Sequence, residues 1–203
     1  MPINFSNFIT CSGTPCNPIE LVSPSGNGCE CTTFSGRIND LYFVDCSLVL
    51  KEQDIIDPAW WTANLTAGKI IPVGVGIGGY QKKDVTTFDA GGCGEPSVEK
   101  IVWQLTYKLL CIDKSAAKKT HDFADALMQG ALSKYNLIIR YCDGQDTIAP
   151  IGGVSLADFD NLLPEATSEF MEFSFEFNWN SMTAPRPLDV PGLNAVLPKA
   201  ARG

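Results

Sequence analysis

"MEFSFEFNWN", residues 171–180, sets Phe173, Phe175, Phe177 and Trp179 at alternate positions, with Glu172, Ser174, Glu176 and Asn178 between them. Successive side chains of a strand point to opposite faces, so this spacing predicts a β-strand with one aromatic and one acidic, polar face. Burying each aromatic side chain is worth roughly 1.5–3 kcal/mol, enough for four of them to hold the strand against a helix. The other face must then look at water or at a neighbouring subunit.

The rest of the chain supplies partners for such a strand. "KIVWQLTYKLLC" (100–111) alternates in the same way, with Trp103, Leu105, Tyr107 and Leu109 on one face and Gln104, Thr106 and Lys108 on the other. "RINDLYFVDCSLVL" (37–50) predicts a strand whose even positions, from Ile38 to Leu50, form an apolar face broken by Asp40. "KIIPVGVGIGGY" (69–80) predicts a strand ending in a glycine turn, with a loop over 81–99. "NLIIRYC" (136–142) is a further strand, followed by a loop at "DGQDTIAPIGG". Residues 115–135 carry Thr120, Phe123, Ala124, Leu127, Met128 and Ala131 on one helical stripe, which predicts the long helix. "SLADFDNLLP" (155–164) reads as a short capped helix stopped by Pro164, and 51–69 as a connection or short helix.

These elements predict an α+β fold: a mainly antiparallel sheet, sandwich- or barrel-like, with one amphipathic helix packed on its aromatic face. Three parts are expected: a Cys/Pro/Gly-rich N-terminal arm or loop (1–36), a core domain (37–180) and a Pro-rich extended C-terminal arm (181–203).

Charge is unevenly spread. Residues 1–142 hold 12 Lys/Arg against 14 Asp/Glu, whereas 143–180 hold eight acids and no Lys or Arg. The formal net charge of −8 argues against tight binding to nucleic-acid phosphates. The opening "MPINFSNFIT" lacks the basic and apolar regions of a secretory signal, and no run of about 18 apolar residues predicts a membrane span. A soluble protein kept in a cytoplasm is therefore expected.

The sequence offers little reaction chemistry. Gly74, Gly76 and Gly79 fit G-x-G-x-x-G, but the β-branched "YQKKDVTTFDAGG" that follows predicts no helix to hold a pyrophosphate. Cys11, Cys16, Cys29 and Cys31 crowd the N-terminal segment as C-x4-C-x12-C-x-C. C-x-C is a poor zinc knuckle, so reduced thiols, disulfides and a metal or redox module all stay open. Cys46, Cys111 and Cys142 sit on predicted strands, where a thiol acts as a small hydrophobe. His121 is the only histidine, beside Asp122 near the helix start, and any His-dependent triad would have to use it. Glu172 and Glu176 lie roughly 13–14 Å apart by strand rise, too far for a catalytic carboxylate pair. No catalytic residue, metal site or cofactor is assigned, and a non-enzymatic role is expected.

The order of β-rich N-terminal half, strand "EKIVWQLTYKLLC", helix "THDFADALMQGALSKY", strand "NLIIRYC" and final strand "FMEFSFEFNWN" resembles that of tailed-bacteriophage virion proteins of tail-tube or tail-ring type. The Cys-, Pro- and Gly-rich style is similar to that of structural proteins of crAss-like phages. The resemblance covers about residues 37–180. It implies a virion component, assembled in the host cytoplasm, that joins copies of itself into a ring or tube alongside other virion proteins. It also implies a channel through which DNA passes unbound. Glu172, Ser174, Glu176 and Asn178 are the expected channel-lining residues, because an acidic lining repels phosphates. The alternatives are head decoration, a head–tail connector, or a Cys-based metal or redox module.

Overall fold

The computed structural model describes residues 38–88, 97–111, 114–141, 146–162 and 171–197. The N-terminal arm, with Cys11, Cys16, Cys29 and Cys31, and the last six residues of the C-terminal arm lie outside these.

One antiparallel sheet organises everything described. Its strands are β1 (Ile38–Asp45), β2 (Ile70–Phe88), β3 (Ser97–Cys111), β4 (Tyr135–Tyr141), β5 (Thr147–Ile151), β6 (Ser155–Leu162), β7 (Met171–Asn180) and β8 (Leu188–Asp189). They lie side by side in the order β6-β7-β3-β2-β1-β4-β5-β8. The helices are α1 (Glu52–Ile55), α2 (Pro58–Thr66), α3 (Lys114–Met128) and α4 (Leu193–Val196), with a 3-10 turn at Ala131–Lys134. The fold is α+β and mainly antiparallel, as its alternating segments require.

The sheet curls around its aromatic face. Phe43 of β1 meets Phe177 of β7 with ring centroids 6.0 Å apart, although β3 and β2 lie between their strands. Three strand spacings would separate them by about 14 Å in a flat sheet. Into this concave face packs α3, whose Phe123 touches Phe43 and Phe175 edge-on at 5.4 and 6.0 Å. The expected stripe is buried at Thr120, Phe123, Ala124, Leu127 and Ala131, but Met128 turns outward at 57% exposure.

Glycine permits the curl at one point. The Tyr107 ring lies against β2, and a Cβ on Gly76 would sit 2.3 Å from Lys108 O and 2.7 Å from the ring. The Tyr107 hydroxyl reaches the carbonyls of Asn39 and Gly74 at 2.9 and 2.5 Å. The glycine run thus makes space for an aromatic side chain within a continuous strand, which runs to Phe88 instead of turning at residue 80.

The opposite face is divided. Over β1, β4 and β5 it is apolar, and α1, α2 and α4 cover it: Tyr42, Val44, Ile138 and Ile148 share a second core with Trp61 and Leu193. The Asp57 side chain caps α2 by accepting from Ala59 N at 2.9 Å, with Pro58 in the first turn where its missing N–H costs nothing. Trp61 is fully buried and donates its indole N–H to Ile55 O at 2.7 Å. β1 is accordingly buried on both sides: Leu41 and Phe43 face the first core, Tyr42 and Val44 the second.

Several expectations change. Residues 155–162 are strand, not helix, because pairing with β7 decides: Phe159 stands opposite Phe175 and Asp158 opposite Glu176, after a one-residue irregularity at Ala157. The "TIAPI" of the expected loop is β5, and the described residues of the expected 81–99 loop are strand, Val85–Phe88 pairing with Ser97–Ile101. Its side chains from Gln81 to Thr87 are exposed, so no apolar period marks it in the sequence. The stretch after β7 is docked on the sheet through Leu197, with Leu188, Val190, Leu193 and Leu197 buried. Cys46 follows β1 in a turn, half-buried and disulfide-bonded, not a packed thiol on a strand.

Candidate functional site

The second half of the outer face, over β6, β7 and β3, carries polar and charged side chains, and among the described residues no helix packs there. Glu172, Ser174, Glu176 and Asn178 project to it together, each half-buried, while their aromatic neighbours on β7 are buried on the other side. The strand alternation read from the sequence is therefore the alternation found.

Register adds what the sequence pattern could not place. Asp158 of β6 stands opposite Glu176, and Asp160 opposite Ser174, both exposed. On the other flank Gln104 stands opposite Asn178 and Lys108 opposite Ser174. Lys108 Nζ donates to Glu172 Oε1 at 2.5 Å, and Gln104 Nε2 donates to Glu176 Oε2 at 2.6 Å. Asn178 contributes its backbone carbonyl to Ser155 Oγ at 3.2 Å, while its own Oδ1 is buried without a hydrogen bond among the described residues. Among the described residues the result is a three-stranded patch that carries Asp158, Asp160, Glu172 and Glu176, with Lys108 paired to Glu172 at one corner.

The patch does not gather the whole acidic segment. Asp143, Glu165 and Glu169 lie outside the described residues. Asp146 lies elsewhere, in a buried cluster around Arg140 of β4. That residue is 2% exposed, and its guanidinium lies 3.1 Å from Asp146 and 3.5 Å from Asp40. It also donates to Leu197 O at 3.1 Å and to Asn194 Oδ1 at 2.5 Å. Burial, with the Asp40 carboxylate beside it, pushes the Tyr42 phenol well above the ordinary tyrosine range. Asp40, which breaks the apolar pattern of β1, is thus the anion a buried arginine needs; an unpaired charge there would be costly.

Other candidate groups have structural surroundings. His121 is half-buried, with its ring 4.9 Å from Phe173 and edge-on to it. Among the described residues no three His, Cys, Asp or Glu side chains are grouped so as to hold a metal ion. A groove of about 530 Å³ between the end of α3 and β6 is lined mainly by Leu127, Met128, Leu132, Leu156 and Phe159, with Asp158 at its margin. No described helix is long and apolar enough to cross a membrane.

No protein-family model matches the chain, and no curated protein matches it. Among solved structures it is similar to a chain of the anti-feeding prophage baseplate, determined by cryo-EM with six-fold symmetrisation. The TM-score is 0.42 and the sequence identity 10%, over 79% of this chain and 97% of that one.

Proposed function

We propose that this chain is a non-enzymatic structural subunit of a phage tail or neck. Copies assemble into a ring or tube, beside other virion proteins, and the acidic half-face lines a channel through which DNA passes. The observation that carries the reading is the patch itself: Asp158, Asp160, Glu172 and Glu176 on one sheet face against Lys108. Carboxylates repel phosphates and give them no counterion-releasing contacts, so DNA slides past such a wall. Ser174 and Asn178 keep the wall polar between the charges.

The projecting ribbon supports the assembly part. β7 flanks β3 as far as Val102, Ser181 N still donates to Ile101 O at 3.1 Å, and the described part of β1 pairs with β2 as far as Gly78. Among the described residues, 86–88 and 97–100 pair only with each other. Two strands alone are marginally stable in water, and a neighbouring copy would supply the missing contacts.

Light scattering and cryo-EM of the purified protein test both parts. Rings or tubes with Glu172 and Glu176 toward the axis are expected. Particles with that face outside, or buried in a lateral contact, overturn the lining role, and a persistent monomer overturns the assembly.

A further inference from the structure

Cys46 is disulfide-bonded, and the turn that carries it is fixed at one end of β1. Its backbone N donates to Lys134 O at 2.8 Å, and Asn136 Nδ2 donates to its Sγ at 3.6 Å, so it lies where β4 begins. A disulfide holds its two Cα atoms about 4.4–6.8 Å apart. The partner must therefore come to this end of the strand, and sheet register rules out three of the seven other cysteines.

Cys142 follows β4 at its far end. Tyr135 stands opposite Asp45 and Tyr141 opposite Ile38, so about 20 Å of strand separates Cys142 from the Cys46 turn. Cys111 ends β3, which runs parallel to β1 with β2 between them. From the row that sets Ile38, Gly78 and Tyr107 side by side, β1 runs about 25 Å to Cys46, and β3 only about 13 Å to Cys111 in the same direction. At least about 10 Å therefore remains between the two, whatever the curl of the sheet. Cys93 lies between Phe88 and Ser97, the paired ends of β2 and β3. These strands leave the sheet past Ile38, away from Cys46, and the β2 side chains from Gln81 to Thr87 are exposed, not folded back upon it.

Four cysteines remain, Cys11, Cys16, Cys29 and Cys31, and each has enough chain to reach. The nearest, Cys31, is seven residue steps from Ile38. Such a run spans about 23–25 Å, and the bridge adds about 4–7 Å, against the roughly 25 Å of β1.

We propose that the disulfide of Cys46 closes onto this N-terminal cluster within the same chain. The segment that joins the sheet at Ile38 is thereby pinned again at the opposite end of β1, as part of the folded body and not as a free arm. The bond forms by exchange with a small-molecule disulfide. Two protein thiols become one S–S bond, and the small disulfide takes up the two electrons and two protons and leaves as two thiols. The staple holds in one copy as in many, so it does not depend on the assembly proposed above.

Trypsin sets the four candidates apart from the other three, because Arg37 is the first Lys or Arg of the chain and Lys51 the next. Full-length protein is purified without reductant, denatured, alkylated at its free thiols and digested without reduction. Mass spectrometry should find peptide 1–37 joined to peptide 38–51, and the pair should part on reduction. A non-reducing denaturing gel should show the chain as a monomer. Peptide 38–51 joined to a peptide carrying Cys93, Cys111 or Cys142, or alkylated at Cys46, overturns the proposal. So does a covalent dimer that carries the link between peptides 1–37 and 38–51.

Discussion

Lys108 of β3 reaches diagonally across the sheet to Glu172 of β7, Nζ to Oε1 at 2.5 Å, although its direct register partner is Ser174. The patch's cation among the described residues is thus committed at one corner, leaving Glu176, Asp158 and Asp160 to set the potential of the rest. The Lys108 side chain is 46% exposed, and pairs of that kind contribute roughly 0–1 kcal/mol. Lys108→Ala should therefore change stability by less than about 1 kcal/mol while making the patch more negative. Chemical denaturation checks the first effect, and the salt dependence of DNA retention on immobilised particles checks the second.

The double change Glu172→Lys and Glu176→Lys argues the same surface in reverse. Both side chains are half-buried on the polar face, so the fold should survive with a loss of about 1–2 kcal/mol. Assembled particles should then hold DNA at low salt and release it as salt rises, because each new phosphate contact releases counterions. Particles that still ignore DNA at low salt would place this face away from any channel.

Gly76→Ala addresses the inner face. The new methyl would meet the Lys108 carbonyl at 2.3 Å and the Tyr107 ring at 2.7 Å, and backbone on the neighbouring strand cannot swing aside. A loss of about 3 kcal/mol or more is expected, at the upper end of overpacking costs. Gly79→Ala meets nothing within 4 Å and serves as the control in the same urea titration.

This pair also shows what the sequence reveals and what it hides. A two-residue period is visible wherever one face is buried and the other wet, and β3 and β7 were legible for that reason. β6 was not: "SLADFDNL" reads as helix because the irregularity at Ala157 shifts its alternation by one residue. β1 is buried on both faces, so Asp40 looked like a fault in an apolar stripe until Arg140, a hundred residues away, stood opposite it. The acids of β7 could be named from sequence, but their neighbours Asp158, Asp160, Gln104 and Lys108 are set by register, which alternation alone does not fix.

Cys46 gives a redox prediction. It is disulfide-bonded, so thiol titration of the denatured, unreduced protein should find at most six of the eight cysteines free. Reduction should lower stability by about 2–4 kcal/mol, the usual worth of one cross-link. Eight free thiols in freshly purified protein would mean the bond does not form.

Tyr42 gives a pH prediction. Burial first, and the neighbouring Asp40 carboxylate second, raise its pKa in the folded protein, whereas the unfolded phenol titrates near 10. Below about pH 10 the group is neutral in both states and its contribution to stability is fully present. As pH rises further, only the unfolded chain loses the proton, and stability falls by up to about 1.4 kcal/mol per pH unit from this group alone. Tyr42→Phe removes that slope and forfeits the phenol's bonds to Asp40 and Arg140, about 0.5–1.5 kcal/mol at neutral pH. The two stability curves, measured by denaturant titration from about pH 7 to 11, should therefore converge above about pH 10. Parallel curves would mean that the phenol ionises as easily in the folded protein as in the unfolded one, and that the Arg140 seat is open to water.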